Sequence, residues 1–171
     1  MTISTQQESD FIRDYTKIMM QIYEQFAEQP ETKLLEKFVK ARPKYCADRS
    51  LLDSALQVFD AQSITILAEV ISAVRSLEVK KCVYLKDTRS YSVFIDPSAK
   101  IAYGVLGLTE RLRNIIGGTG AFVETGLLRY NGKYSSDGII NQVIWLGKNL
   151  KEEFTDILSD LKRQGLYYRQ F

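Results

Sequence analysis

Apolar positions in the first part of the chain repeat at helical spacing. Phe11, Tyr15, Ile18, Met19, Ile22 and Phe26 follow one another at intervals of 4, 3, 1, 3 and 4, which predicts one amphipathic helix over about residues 5–27. Ser4 and Gln7 stand three apart at its start, as in a capping box. Gln29-Pro30 ends it. Leu34, Leu35, Phe38 and Val39 predict a second, short helix that stops at Arg42-Pro43, because the residue before a proline avoids the α region. Ser50 with Asp53 opens a third helix carrying Leu51, Leu52, Ala55, Leu56 and Phe59. Ser63 is placed to cap a fourth with Leu67, Val70, Ile71, Val74 and Leu77 along one side.

Near residue 79 the period shortens from about 3.6 to about 2, and β-branched and aromatic residues replace helix formers. Strands are predicted over about 81–86, 90–95 and 100–107, separated by Lys86-Asp87-Thr88-Arg89 and Asp96-Pro97-Ser98-Ala99, both of which carry turn chemistry. Thr109 then caps a two-turn helix with Leu112, Ile115 and Ile116, closed by Gly117-Gly118. Residues 122–130 and 133–136 flank Asn131-Gly132, a hairpin signal, since a type I′ turn needs positive φ at both central positions. A further strand over 139–146 holds the single tryptophan, Trp145. Asn149 caps a last helix lined by Leu150, Phe154, Ile157, Leu158 and Leu161, which Gly165 stops and Leu166 closes.

The fold class that follows is α+β: a helical N-terminal layer, residues 1–78, on a mainly antiparallel five- or six-stranded sheet, residues 79–171, with a C-terminal helix. With no linker, repeat or charge block in between, the whole of 1–171 reads as one domain. In element order from about residue 63 onward, the chain resembles sheet domains of the PAS, GAF and profilin or roadblock type. That outline implies a scaffold for sensing, dimerisation or adaptor work and selects none of them.

Length and composition agree with an ordinary globular chain: 171 residues, 45% hydrophobic and 26% charged, enough to bury a core without staples. The net charge of +2 is too small for a protein that wraps nucleic acid. Zero histidines remove Ser-His-Asp and Cys-His catalysis and the histidine-dependent zinc sites. Cys46 and Cys82 lie 36 apart with no CxxC, so they read as two buried or half-buried thiols rather than a redox or zinc motif. The N-terminus lacks the charged and apolar regions of a secretory signal, and the most apolar stretch, Ile64 to Val74, contains Glu69. A soluble cytoplasmic protein without cofactor, metal or membrane attachment is expected.

Gly117-Gly118-Thr119-Gly120 is the segment with the look of a motif, because consecutive glycines let backbone amides approach an anion. Similar GGTG strings occur in extended short-chain dehydrogenases and in the barrels of dirigent and allene oxide cyclase proteins. The dinucleotide context of strand, then glycines, then helix is reversed here, so a helix C-cap and strand-entry turn is the expected role. A ligand-contacting loop that also draws on Glu124 and Asp137, which flank the hairpin, is the alternative. Lys33, Lys37 and Lys40 fall on one helix face, opposite Leu34, Leu35, Phe38 and Val39, and Arg129, Tyr130, Lys133 and Tyr134 interleave cations with aromatics around the hairpin. Both patterns fit a solvated face or an interface. They also supply contacts for nucleic acid or an acidic partner. Three aromatics in the last five residues predict that the tail docks on its own domain or on a neighbour.

Three functional readings result. The favoured one is a non-enzymatic binding or regulatory domain that acts through protein contacts and self-associates as a homodimer. The second is a nucleic-acid-associated protein using the lysine face and the hairpin. The third is a small-molecule-binding protein or cofactor-free enzyme with a pocket at the glycine loop.

Overall fold

The computed structural model describes residues 5–28, 31–108 and 110–170, so the Ser4 cap, Pro30, the Thr109 cap and Phe171 lie outside the described residues. Four helices come first: α1 (Thr5–Glu24), α2 (Leu34–Ala47), α3 (Ser50–Ala61) and α4 (Ala68–Arg75). Strands β1 (Glu78–Asp87), β2 (Ser92–Ile95) and β3 (Ala102–Leu106) follow, then the short α5 (Leu112–Ile116). The chain continues with β4 (Ala121–Tyr130), β5 (Lys133–Trp145), α6 (Lys148–Arg163) and β6 (Tyr167–Tyr168). This is an α+β fold with a mixed six-stranded sheet.

The sheet closes on itself. β1 pairs antiparallel with β2 and β4, β4 with β5, and β2 with β3. β5 lies parallel to β3, with Tyr134 beside Val105 and Ser135 beside Leu106, and completes the ring β1-β2-β3-β5-β4. β6 adds to β3 in parallel at Ala102 and Tyr103. Strand alternation sorts side chains to the two sides of this ring. Cys82, Tyr84, Phe94, Val105, Ala121, Val123 and Leu127 form the interior cluster, which Leu112 and Ile116 of α5 also enter. Val83, Leu85, Val93 and Ile95 point outward against Phe154, Leu158 and Leu161 of α6. On another outer face, Leu77, Leu128, Tyr130 and Ile139 pack against Phe11, Ile18, Met19 and Ile22 of α1 and their neighbours in α2 to α4.

Local chemistry departs from the sequence-based expectation at a few points. α2 runs through Pro43 to Ala47. Burial of Phe38, Ala41, Arg42 and Tyr45 along one face offsets the hydrogen bond that proline cannot donate. Leu34 and Leu35 at its start remain exposed. α4 begins at Ala68 instead of just after Ser63, which takes φ 56°. Its N-terminus is served from α1, where the Asp14 carboxylate accepts the Leu67 amide at 2.9 Å. The last helix starts one residue before Asn149 and has Gly147 as its N-cap. The stretches expected as separate strands over 133–136 and 139–146 are one strand, β5, with register shifts opposite Thr125 that absorb the extra residues.

Other expectations hold. Asn131 and Gly132 take φ 50° and 71° in the tight hairpin, and Gly117 caps α5 at φ 86° with its amide donating to Arg113 O at 2.9 Å. Leu166 N donates to Leu161 O at 2.8 Å behind Gly165, and the tail docks as β6. Cys46 and Cys82 are free thiols. No helix of the described residues is long and apolar enough to cross a membrane.

Candidate functional site

The residues singled out in the sequence scatter over several places. The glycine loop is a packed turn: the Gly120 amide donates to Tyr84 O, its carbonyl accepts from Leu146 N, each at 2.9 Å, and the Lys151 side chain lies across the space a Cβ would fill. A Cβ at Gly118 would stand 3.0 Å from Trp145 Cη2. Glu124 sits midway along β4 opposite Gln142 and accepts from Asn141 Nδ2 at 3.4 Å. Asp137 is turned the other way, into the helical layer. The two carboxylates therefore do not form an acid/base pair, and the loop lies at the far end of β5 from Asp137.

Asp137 belongs to a buried network that sequence reasoning missed. Arg42 of α2 and Asp137 of β5 both have fully buried side chains. Arg42 Nη1 donates to Asp137 Oδ2 at 2.8 Å and to Ile139 O at 3.1 Å, and Nη2 donates to Asn141 Oδ1 at 2.9 Å. The Tyr15 hydroxyl donates to Asp137 Oδ2 at 3.0 Å, and the Ile139 amide to Oδ1 at 3.0 Å. Burial pushes the Asp137 carboxyl above its usual range, while the guanidinium, the amide and the hydroxyl pull it back. Arg42 Nε has no acceptor among the described residues. A signal existed: Arg42 stands at helical spacing from Phe38 and Tyr45, on the apolar face, once α2 is continued past Pro43.

The lysine row is already engaged. Lys33 pairs with Glu36 at 3.3 Å, Lys40 with Glu31, and Lys37 lies 5.7 Å over the Tyr23 ring. Hydrogen bonding to Lys40 holds the Glu31 carboxyl below its ordinary value. The hairpin residues divide. Tyr130 is buried, packs edge-on against Phe11 at 4.9 Å and donates to Gln7 O at 3.3 Å. Lys133 reaches Tyr91, while Arg129 and Tyr134 gather with residues the sequence did not connect to them.

That gathering is the open mouth of the ring, away from α5. Glu78 and Lys80 precede Cys82 by steps of two, Tyr103 precedes Val105 likewise, and Arg129 follows Leu127, so alternation aims all of them inward. With Ser76, Leu128 and Tyr134 they border a cavity of about 140 Å³. Tyr103 and Tyr134 meet edge to face at 5.0 Å. Lys80 Nζ lies 5.3 Å over Tyr103, and the Arg129 guanidinium 5.9 Å over Tyr134. Burial works against the Lys80 ammonium, yet the 2.6 Å pair with Glu78 and the Tyr103 neighbour hold its pKa above the ordinary value. Burial also raises the Tyr103 hydroxyl, against the opposing charge of Lys80.

On the other side of β3, a second cleft of about 460 Å³ is lined by Tyr91 and the tail residues Tyr167, Tyr168, Arg169 and Gln170. These side chains pack closely over Gly104, where a Cβ would stand 3.0 Å from the Tyr167 hydroxyl and from Arg169 Cγ. Lys133 donates to the Tyr91 hydroxyl at 3.3 Å. Away from the mouth, β5 presents one more distinctive surface. Beyond Ser135, no described strand pairs with it on the side opposite β4, and Val143, Ile144 and Trp145 are 37%, 52% and 53% exposed. Among the described residues, no group of acidic or thiol side chains is arranged to hold a metal ion.

Compared with known protein families, curated proteins and solved structures, the chain shows no significant match.

Proposed function

We propose that the protein is a small cytoplasmic, non-enzymatic binding or regulatory domain that self-associates through the free edge of β5. The observation that carries this reading is the exposed run Val143-Ile144-Trp145 on a strand whose outer edge has no strand partner. Natural edge strands are commonly guarded by charge, proline or a covering element. Residues 139–145, Ile-Ile-Asn-Gln-Val-Ile-Trp, contain neither charge nor proline. A second copy is the occupant this edge suits: antiparallel pairing of the same neutral segment sets no like charges against each other. The other apolar surface that suggested self-association, the stripe of α1, is used inside the domain, with Phe11, Ile18, Met19 and Ile22 fully buried.

Light scattering across a wide concentration range tests the reading. The expected result is a monomer–dimer equilibrium that Ile144→Lys shifts to monomer while circular dichroism stays unchanged. A strict monomer at every concentration overturns it, as does a dimer indifferent to that substitution.

A further inference from the structure

We propose that the mouth of the strand ring and the tyrosine cleft beside it form one binding strip for single-stranded nucleic acid, independent of the β5 edge. The strip crosses β3. Tyr103 lines the first cleft, and the next residue, Gly104, lies under Tyr91, Tyr167 and Arg169, which line the second. The two clefts and their border carry four cations, Lys80, Arg129, Lys133 and Arg169, beside Tyr103, Tyr134, Tyr91 and Tyr168, and among the described residues Glu78 is the one carboxylate lining either cleft. Phosphates need cations at intervals, and bases need flat apolar faces near them. A groove that interleaves the two binds single strands with little sequence preference.

The geometry narrows the ligand further. A mouth of about 140 Å³ is smaller than the roughly 300 Å³ at which drug-sized ligand pockets begin, so it takes a single group of a larger molecule. Lys80 and Arg129 are seated over tyrosine rings, which directs both charges to the rim of the same opening and limits the order that must be gained on binding. The neighbouring cleft is larger and more open, and Tyr168 at its border is 38% exposed, a face against which a base can stack. Gly104 lets Tyr91, Tyr167 and Arg169 approach the strand closely; a Cβ there would press on all three. A duplex keeps its bases stacked on one another and offers the tyrosines no free face, whereas a single strand does. The lysine face of α2 is not part of the strip: Lys33, Lys37 and Lys40 line neither cleft.

The test is fluorescence anisotropy with a labelled oligothymidylate of about 12 nucleotides, within the usual span for one such groove, alongside thymidine monophosphate and a duplex of the same length. The expected result is binding of the single strand in preference to both. Four phosphate contacts at about 0.7 log units each predict a drop in affinity of about 50-fold between 50 and 200 mM salt. Lys80→Ala with Arg129→Ala removes two contacts and lowers the salt slope by about 1.4. Tyr168→Ala, at an exposed position, weakens binding about tenfold by loss of stacking and leaves circular dichroism unchanged. Lys33→Ala with Lys37→Ala leaves affinity as it was. The proposal is overturned by absence of binding to the folded protein, by a mononucleotide or duplex that binds as well as the single strand, or by an affinity that follows Lys33 and Lys37 instead of Lys80 and Arg129. Retention of strand binding by the monomeric Ile144→Lys protein shows that the strip acts without self-association.

Discussion

Arg42 and Asp137, 95 residues apart in the chain, meet at 2.8 Å with both side chains fully buried, and so fasten α2 to β5. Removing one partner of such a pair leaves the other charged and dry, at a cost of about 3–5 kcal/mol, whereas replacing both by apolar groups is often neutral. Arg42→Met and Asp137→Leu are each expected to destabilise by about that amount. The double variant is expected to recover at least half of the loss. Urea denaturation of the four proteins measures the coupling, and strict additivity would show that the pair does not act as a unit.

Gly126 is set by the same network. A Cβ at this position would lie 2.2 Å from Asp137 Oδ2 and 2.9 Å from a Leu77 methyl. Gly126→Ala is therefore expected to cost about 1–3 kcal/mol through overpacking. Combining it with Asp137→Ala, which removes the atoms the new Cβ would meet, is expected to give less than the sum of the two single effects, read from the same denaturation midpoints.

Asp14 gives the acid side of the stability profile. Burial works to raise its carboxyl, but hydrogen bonds from Arg13 and the Leu67 amide and the charges of Arg13 and Lys17 bring it below the ordinary value. A carboxyl whose folded pKa is depressed contributes stability above its unfolded pKa of about 3.9 and loses it as pH falls through the folded value. Thermal melts of wild type and Asp14→Asn are expected to differ most near neutrality and to converge below about pH 4.

Thiol chemistry separates the two cysteines. Burial pushes the Cys82 thiol up to about 12, inside the ring beside Tyr84 and Val123. Since the thiolate is the reactive form, Cys82 is expected to resist alkylation at neutral pH until the protein is unfolded. Mass spectrometry after iodoacetamide treatment, with and without denaturant, checks this. Cys82 labelling in the native protein at the rate of a free thiol would contradict the packed interior.

Much of the fold was legible because its signals are local. The 3.6-residue stripe of α1, the Asn131-Gly132 turn, the Gly117 and Gly165 stops and the change of period near residue 79 each act over a few residues, and each reappears in the structure. What stayed hidden depends on distant partners. Pro43 forbids one hydrogen bond, but nothing nearby shows that Asp137, itself bonded by Tyr15, holds the residue before it in the core. The parallel pairing of β3 with β5, and hence ring closure, depends on two residue pairs near the hairpin. Arg129 and Tyr134 were readable as a cation beside an aromatic. That Lys80 and Tyr103 join them required the ring, while Tyr130 faces the helices because strand alternation turns it away from its neighbour Arg129.

The long reach of the Arg42 contact also bears on how the chain matures during synthesis. The four N-terminal helices leave the ribosome well before Asp137 does, so for that interval the guanidinium must stay hydrated or be sealed in without a counter-ion. The first half of the molecule is thus kept from locking prematurely, and a fragment released after residue 78 would carry the same defect permanently. Docking of the helical layer on the sheet is complete only when the bulged strand emerges and supplies the missing carboxylate.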